Sequence, residues 1–165
     1  MTDSAPFRIA VVGMRHGRQH ASVILQRDDC ELAGVCDLEA DKRIRAAQDL
    51  RLDSRQVYED YEHMLDDADC QAVVISTPLT THEPLAVAAL RRGIHVLLEK
   101  PLTHDWDSAE RLRQAVADSG CVLQVGFEMR SSALIRKIHE IIDSGALGQV
   151  VLVWTRMFRG LGNWQ

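Results

Sequence analysis

The chain has 165 residues, enough for one domain with a substantial core and too few for a second of ordinary size. A formal charge of -5, with both signs mixed along the chain, gives no electrostatic footprint for nucleic acid or an anionic membrane surface. With 46% hydrophobic and 26% charged residues the composition is that of a folded domain, and no apolar run approaches the ~18 residues that span a bilayer.

Residues 1–6 lack the basic and apolar regions of a signal peptide, so the cytoplasm is the expected compartment. Cys30, Cys36, Cys70 and Cys121 form neither a C-x-x-C pair nor a ligand set with nearby histidines. They read as small reduced core residues, and no metal site is expected. Short β-branched runs alternate with amphipathic stretches throughout, which is the pattern of βαβ units and predicts an α/β, doubly wound parallel sheet.

The first expected strand, residues 7–12, runs into Gly13-Met14-Arg15-His16-Gly17-Arg18-Gln19-His20. A glycine turn there, opening a helix, is where such folds present backbone N–H groups to a pyrophosphate. The turn is one residue shorter than G-x-G-x-x-G, with Arg15 where the second glycine would stand and Gly17 one position early. Arg15, His16, Arg18 and His20 put positive charge where a helix dipole disfavours it. A bound anion would resolve that conflict; the alternative is a solvated basic turn, and His20 is expected beneath the turn rather than on a ligand. The second strand, residues 31–36, ends at Asp37, close to the ~20-residue spacing at which an acidic group meets the adenosine ribose. Asp37 could equally cap the helix beginning near Ala40, or do both. Arg43, one turn into that helix, keeps NADP open beside NAD.

A weaker strand is expected at 56–58 and a fourth at 72–75, followed by Ser76-Thr77-Pro78-Leu79-Thr80-Thr81-His82. The fifth, 95–98, runs into Glu99-Lys100-Pro101, and the sixth, 122–125, into Gly126-Phe127-Glu128. Gly93, Gly120 and Gly145 each follow a helical pattern and are expected as left-handed caps. A helix over 107–119 shows one apolar stripe, Ala109, Leu112 and Val116. Another over 131–143 carries Leu134, Ile135, Ile138, Ile141 and Ile142, a face broad enough for a well-buried helix. Residues 150–158 read as a long strand with apolar residues on both faces, so the expected domains are 1–148 and the start of a second at 149–165. From residue chemistry alone Lys100 reads first as an exposed loop charge, and His82 equally as a core histidine or a ligand contact.

The T-P-x-x-x-H and E-K-P segments, in this order and with Val125 to Arg130 and Asp143 to Gly148 behind them, make the chain resemble the N-terminal half of the Gfo/Idh/MocA family over nearly its whole length. The resemblance implies a nicotinamide-dependent oxidoreductase acting on a sugar, polyol or related small molecule. Beside the contacts expected from the turn and strand end, Gly13, Met14, Arg15, His16 and Asp37, it implies a nicotinamide side lined by Ser76, Thr77, Pro78 and His82, and Glu99 and Lys100 reaching the nicotinamide ribose and substrate. Lys100 is the implied catalytic residue and Glu128 a further contact. NAD is the implied cofactor, with NADP possible through Arg43. The family carries its substrate pocket and remaining acid–base residues on a second domain, of which this chain is expected to hold one strand, with homo-oligomer contacts through it. Other expectations consistent with the residues are a non-catalytic dinucleotide-sensing module and a structural protein whose turn no longer binds nucleotide.

Overall fold

The computed structural model describes residues 5–156. Six strands, β1 (Phe7–Val12), β2 (Cys30–Cys36), β3 (Val57–Tyr58), β4 (Ala72–Ile75), β5 (His95–Leu98) and β6 (Leu123–Val125), pair in parallel in the order β3-β2-β1-β4-β5-β6. This is the doubly wound order, and the winding reverses between β1 and β4. The helices are α1 (Gly17–Ile24), α2 (Ala40–Leu50), α3 (Tyr61–Asp67), α4 (His82–Arg91), α5 (Trp106–Ser119) and α6 (Ala133–Asp143).

Side chains alternate across a strand, so a sheet covered on both faces needs apolar residues at every position. In β1, Ala10 and Val12 enter the core beneath α3, α4 and α5, where Met64, Leu90 and Leu112 also lie. Val11 enters the opposite core with Ala21 and Ile24 of α1 and Ala46 of α2. β4 divides in the same way, Val73 and Ile75 to the first core and Val74 to the second. The continuous apolar runs of the central strands therefore reflect burial on two sides. Gly93, Gly120 and Gly145 all take positive φ, as the cap positions require.

The six expected strands are present, with ends differing by a residue at most. Two other expectations change. The helix over 133–143 forms, but its apolar face is not buried: Leu134 is 67% exposed and Ile138 42%. Periodicity specifies which residues share a face and leaves open what packs on it. The strand expected over 150–158 is absent among the described residues, because 150–156 are irregular and exposed; Met157 and Phe158 lie outside the described residues. A strand forms only with a partner for its backbone groups. By its internal contacts the chain divides into two units, Met1–Gly126 and Phe127–Gln165. No helix among the described residues is long and apolar enough to cross a membrane.

Candidate cofactor site

Register sets the geometry of the site. Val12 pairs with both Cys36 and Ile75, and Ile75 with Leu98, so three loops leave the sheet in one row beside the glycine turn. Backbone bonds continue the row: Gly13 N donates to Cys36 O (2.8 Å), Ser76 N to Val12 O (2.9 Å) and Glu99 N to Ile75 O (2.9 Å). The sequence therefore delivers Gly13, Asp37, Ser76 and Glu99 to the carboxyl ends of neighbouring strands, where doubly wound sheets bind ligands.

A cleft of about 650 Å³ opens over β1, β2 and β4, lined among others by Gly13, Arg15, His16, Asp37, Ser76, Thr77 and Pro78. That size is within the range of small-molecule and cofactor sites. Gly13 has φ 89°, and a Cβ on it would stand 2.4 Å from Ser76 O. Only glycine brings the turn this close to the β4 loop. Gly17 serves α1 similarly, since a Cβ there would lie 2.8 Å from Val11 Cγ1.

Met14 acts differently from a ligand side chain. It is 4% exposed and packs with Val11 and Ala21, while its N–H donates to Asp37 Oδ2 at 2.7 Å. The other carboxylate oxygen of Asp37 accepts from Glu39 N at 2.9 Å, so one buried side chain joins the glycine turn to the start of α2. The helix cap itself is Glu39, whose side chain makes no capping bond and pairs with Lys42. Arg43 donates to the carbonyls of Asp37 and Leu38 and to Glu59, each at 2.8 Å, which makes it a strut of the β2–α2 loop. Glu39 and Glu59 also line the cleft beside Asp37. Sequence reasoning did not single out Glu59, although its place directly after β3 puts it in the same row of strand ends. Cys36, also on the cleft, has its thiol pushed up to about 12 by burial and by the charge of Asp37, so it stays protonated.

The basic turn is partly neutralised within the protein. Arg18 pairs with Asp49, and His20 Nε2 lies 3.0 Å from Glu99 Oε1. Arg15 and His16 are exposed on the cleft. Glu99 Oε2 accepts from Lys100 N at 3.1 Å, linking α1 to the E-K-P turn. Lys100 is exposed, at the end of β5 beside the β4 loop and outside the cleft lining. His82 is 2% exposed, with both ring nitrogens on backbone carbonyls, so it is a core histidine at the start of α4. Glu128 opens a short 3-10 turn, Glu128–Ser131, in the second unit. No group of three His, Cys, Asp or Glu among the described residues could hold a metal ion.

Burial pushes the Glu99 carboxyl up, but the His20 bond, the Lys100 N–H and the charges of both residues outweigh it and hold the carboxyl below the ordinary glutamate range. A depressed folded value stabilises the fold above the unfolded pKa of ~4.3, and this stabilisation is lost as pH falls through the folded value. His20→Ala is therefore expected to cost about 1 kcal/mol near neutral pH and progressively less in acid, read by urea unfolding across pH. A difference that stays constant through the glutamate range would contradict this role for Glu99.

A glycine turn opening a helix, an acidic residue ending the second strand and a cleft at the winding reversal define a dinucleotide-binding domain. Residues 7–127 match the model of the oxidoreductase family with the NAD-binding Rossmann fold. The chain belongs to this Gfo/Idh/MocA family, as its NAD-binding domain. It is 38% identical over 149 residues to inositol 2-dehydrogenase 4 of Saccharopolyspora erythraea, covering 88% of this chain and 44% of the relative. To D-glucoside 3-dehydrogenase of Escherichia coli it is 29% identical, covering 96% and 45%. The structure of scyllo-inositol dehydrogenase from Lactobacillus casei, with bound NAD(H) and scyllo-inositol, superposes with a TM-score of 0.81 at 28% identity, covering 87% of this chain and 43% of that one. The chain thus spans less than half the length of these relatives.

Proposed function

We propose that this chain supplies the cofactor half of a site for hydride transfer between NAD and a hydroxyl of a polyol or sugar. The observation that carries the proposal is the single row of strand ends holding Gly13, Asp37, Ser76 and Glu99. The relatives are dehydrogenases of inositols and a glucoside, which supports that substrate class. Bound NAD would supply the hydride acceptor. Gly13 and its turn, with Arg15 and His16, would receive the pyrophosphate; Asp37 would accept hydrogen bonds from the adenosine ribose; Thr77 and Pro78 would border the nicotinamide. Lys100 would donate to the substrate oxygen and stabilise the negative charge that builds there when hydride adds to the carbonyl carbon, and by reversibility the same alkoxide-like charge in the oxidation direction once the hydroxyl proton has passed to a base. The carboxylates of Asp37, Glu39 and Glu59, with Arg43 committed to carbonyls, favour NAD over the 2′-phosphate of NADP. Exposed Val151, Leu152 and Trp154 support self-association through that segment. The buried free thiols of Cys36, Cys70 and Cys121 support a reducing compartment.

The chain has three lysines, Lys42, Lys100 and Lys137, so reductive ¹³C-methylation gives a signal set that one Lys100 variant assigns. Both NAD and ADP-ribose are expected to bind, and NAD alone to shift the Lys100 signal through its nicotinamide. Equal shifts, or none with NAD bound, would remove Lys100 from the nicotinamide side.

A further inference from the structure

We infer that His82 is a positioning residue, whose ring spans the loop carrying Thr77 and Pro78 and the turn carrying Lys100 and Pro101 and sets the distance between them. Its Nδ1 lies 3.0 Å from Pro101 O and its Nε2 3.1 Å from Thr77 O. A carbonyl oxygen only accepts, so each contact uses a ring N–H; the neutral ring donates to one loop and the imidazolium to both. Burying a polar ring is costly unless it is bonded, and here the bonds go to two segments that follow different strands. Below this point β4 and β5 are held in register, Ile75 against Leu98. Beyond it the loops no longer pair, and the His82 ring stands between them, donating to one carbonyl when neutral and to both as the imidazolium. The Thr77 loop is further fixed from within, because Thr81 Oγ1 donates to Pro78 O and can accept from the Thr77 hydroxyl. The E-K-P turn has a second attachment, His20 through Glu99 to Lys100 N. His82 thus joins a loop that lines the cleft to the turn that bears Lys100. Its consequence for chemistry rests on the proposed role of Lys100; the brace itself does not.

Two substitutions separate the arms. The amide nitrogen of Asn stands near the position of Nδ1 and that of Gln near Nε2, so His82→Asn retains the Pro101 arm and His82→Gln the Thr77 arm. In the full methylated chain without cofactor, His82→Gln is expected to move the Lys100 signal and His82→Asn to leave it, with Lys42 and Lys137 unchanged in both. In titrations with NADH, His82→Asn is expected to weaken binding about tenfold, the loss of one hydrogen bond, and His82→Gln much less. The wild-type ring, observed by ¹⁵N NMR, is expected to show an exchange-protected N–H proton, and its absence overturns the brace whether or not the variants fold. An unmoved Lys100 signal with unchanged NADH affinity in both variants, or a wild-type ring without a protected proton, would overturn the brace. If wild-type Lys100 fails to distinguish NAD from ADP-ribose while His82→Gln still moves its signal, the proposed role of Lys100 fails and the brace stands.

Discussion

In an assembly that also supplies the substrate half of the site, Lys100→Met is expected to lower polyol-dependent formation of NADH by a factor of roughly 10² to 10³, while the dissociation constant for NADH stays within a few-fold. The two numbers separate because the proposed interaction is with the reacting oxygen, where charge develops in the transition state. Methionine keeps the unbranched stem and removes the ammonium, so packing changes little. Lys100 is the second residue after β5, and its backbone N–H donates to Glu99 Oε2, a bond that the substitution leaves in place. Parallel loss of NADH affinity and turnover would place the lysine on the cofactor instead. Retained turnover would remove it from the chemistry.

Asp37→Ala is expected to act on stability and binding together. The residue is 9% exposed, and its two oxygens accept from Met14 N and Glu39 N. Alanine leaves both N–H groups without the carboxylate at a cost of ~1–3 kcal/mol each, so a total of about 3 kcal/mol and a fall in Tm of roughly 10 °C are expected. NADH affinity should fall at least tenfold, because the turn loses its anchor and the ribose its acceptor. Asp37→Asn, which keeps one acceptor oxygen, should fall between. Thermal melts and calorimetry on both variants check this; an unchanged Tm for the alanine variant would show that the two bonds contribute little.

Much of the fold was legible because the strands are short, β-branched and buried on both faces, so that runs such as Ala72–Ile75 and His95–Leu98 admit few other assignments. Site residues that immediately follow strands, Gly13, Asp37, Ser76 and Glu99, were legible for the same reason: strand ends and site coincide in this architecture. Orientation was not. The sequence places Met14 and His82 next to site residues, but whether a side chain enters the cleft or the core depends on the local turn. The structure turns both inward, Met14 to the core around Val11 and His82 to two carbonyls. Arg43 could be read as a phosphate ligand until its three bonds to Asp37, Leu38 and Glu59 were seen. The apolar faces of α6 and of residues 150–156 show the opposite limit, since a pattern announces that a surface should be covered without naming its cover.

The most direct measurement is a calorimetric titration of the chain with NADH and with NADPH. Binding of one NADH per chain is expected, tighter than NADPH by roughly tenfold or more, because three carboxylates line the part of the cleft that would receive a 2′-phosphate. No heat of binding with NADH, or tighter binding of NADPH, would contradict the assignment of this cleft as an NAD site.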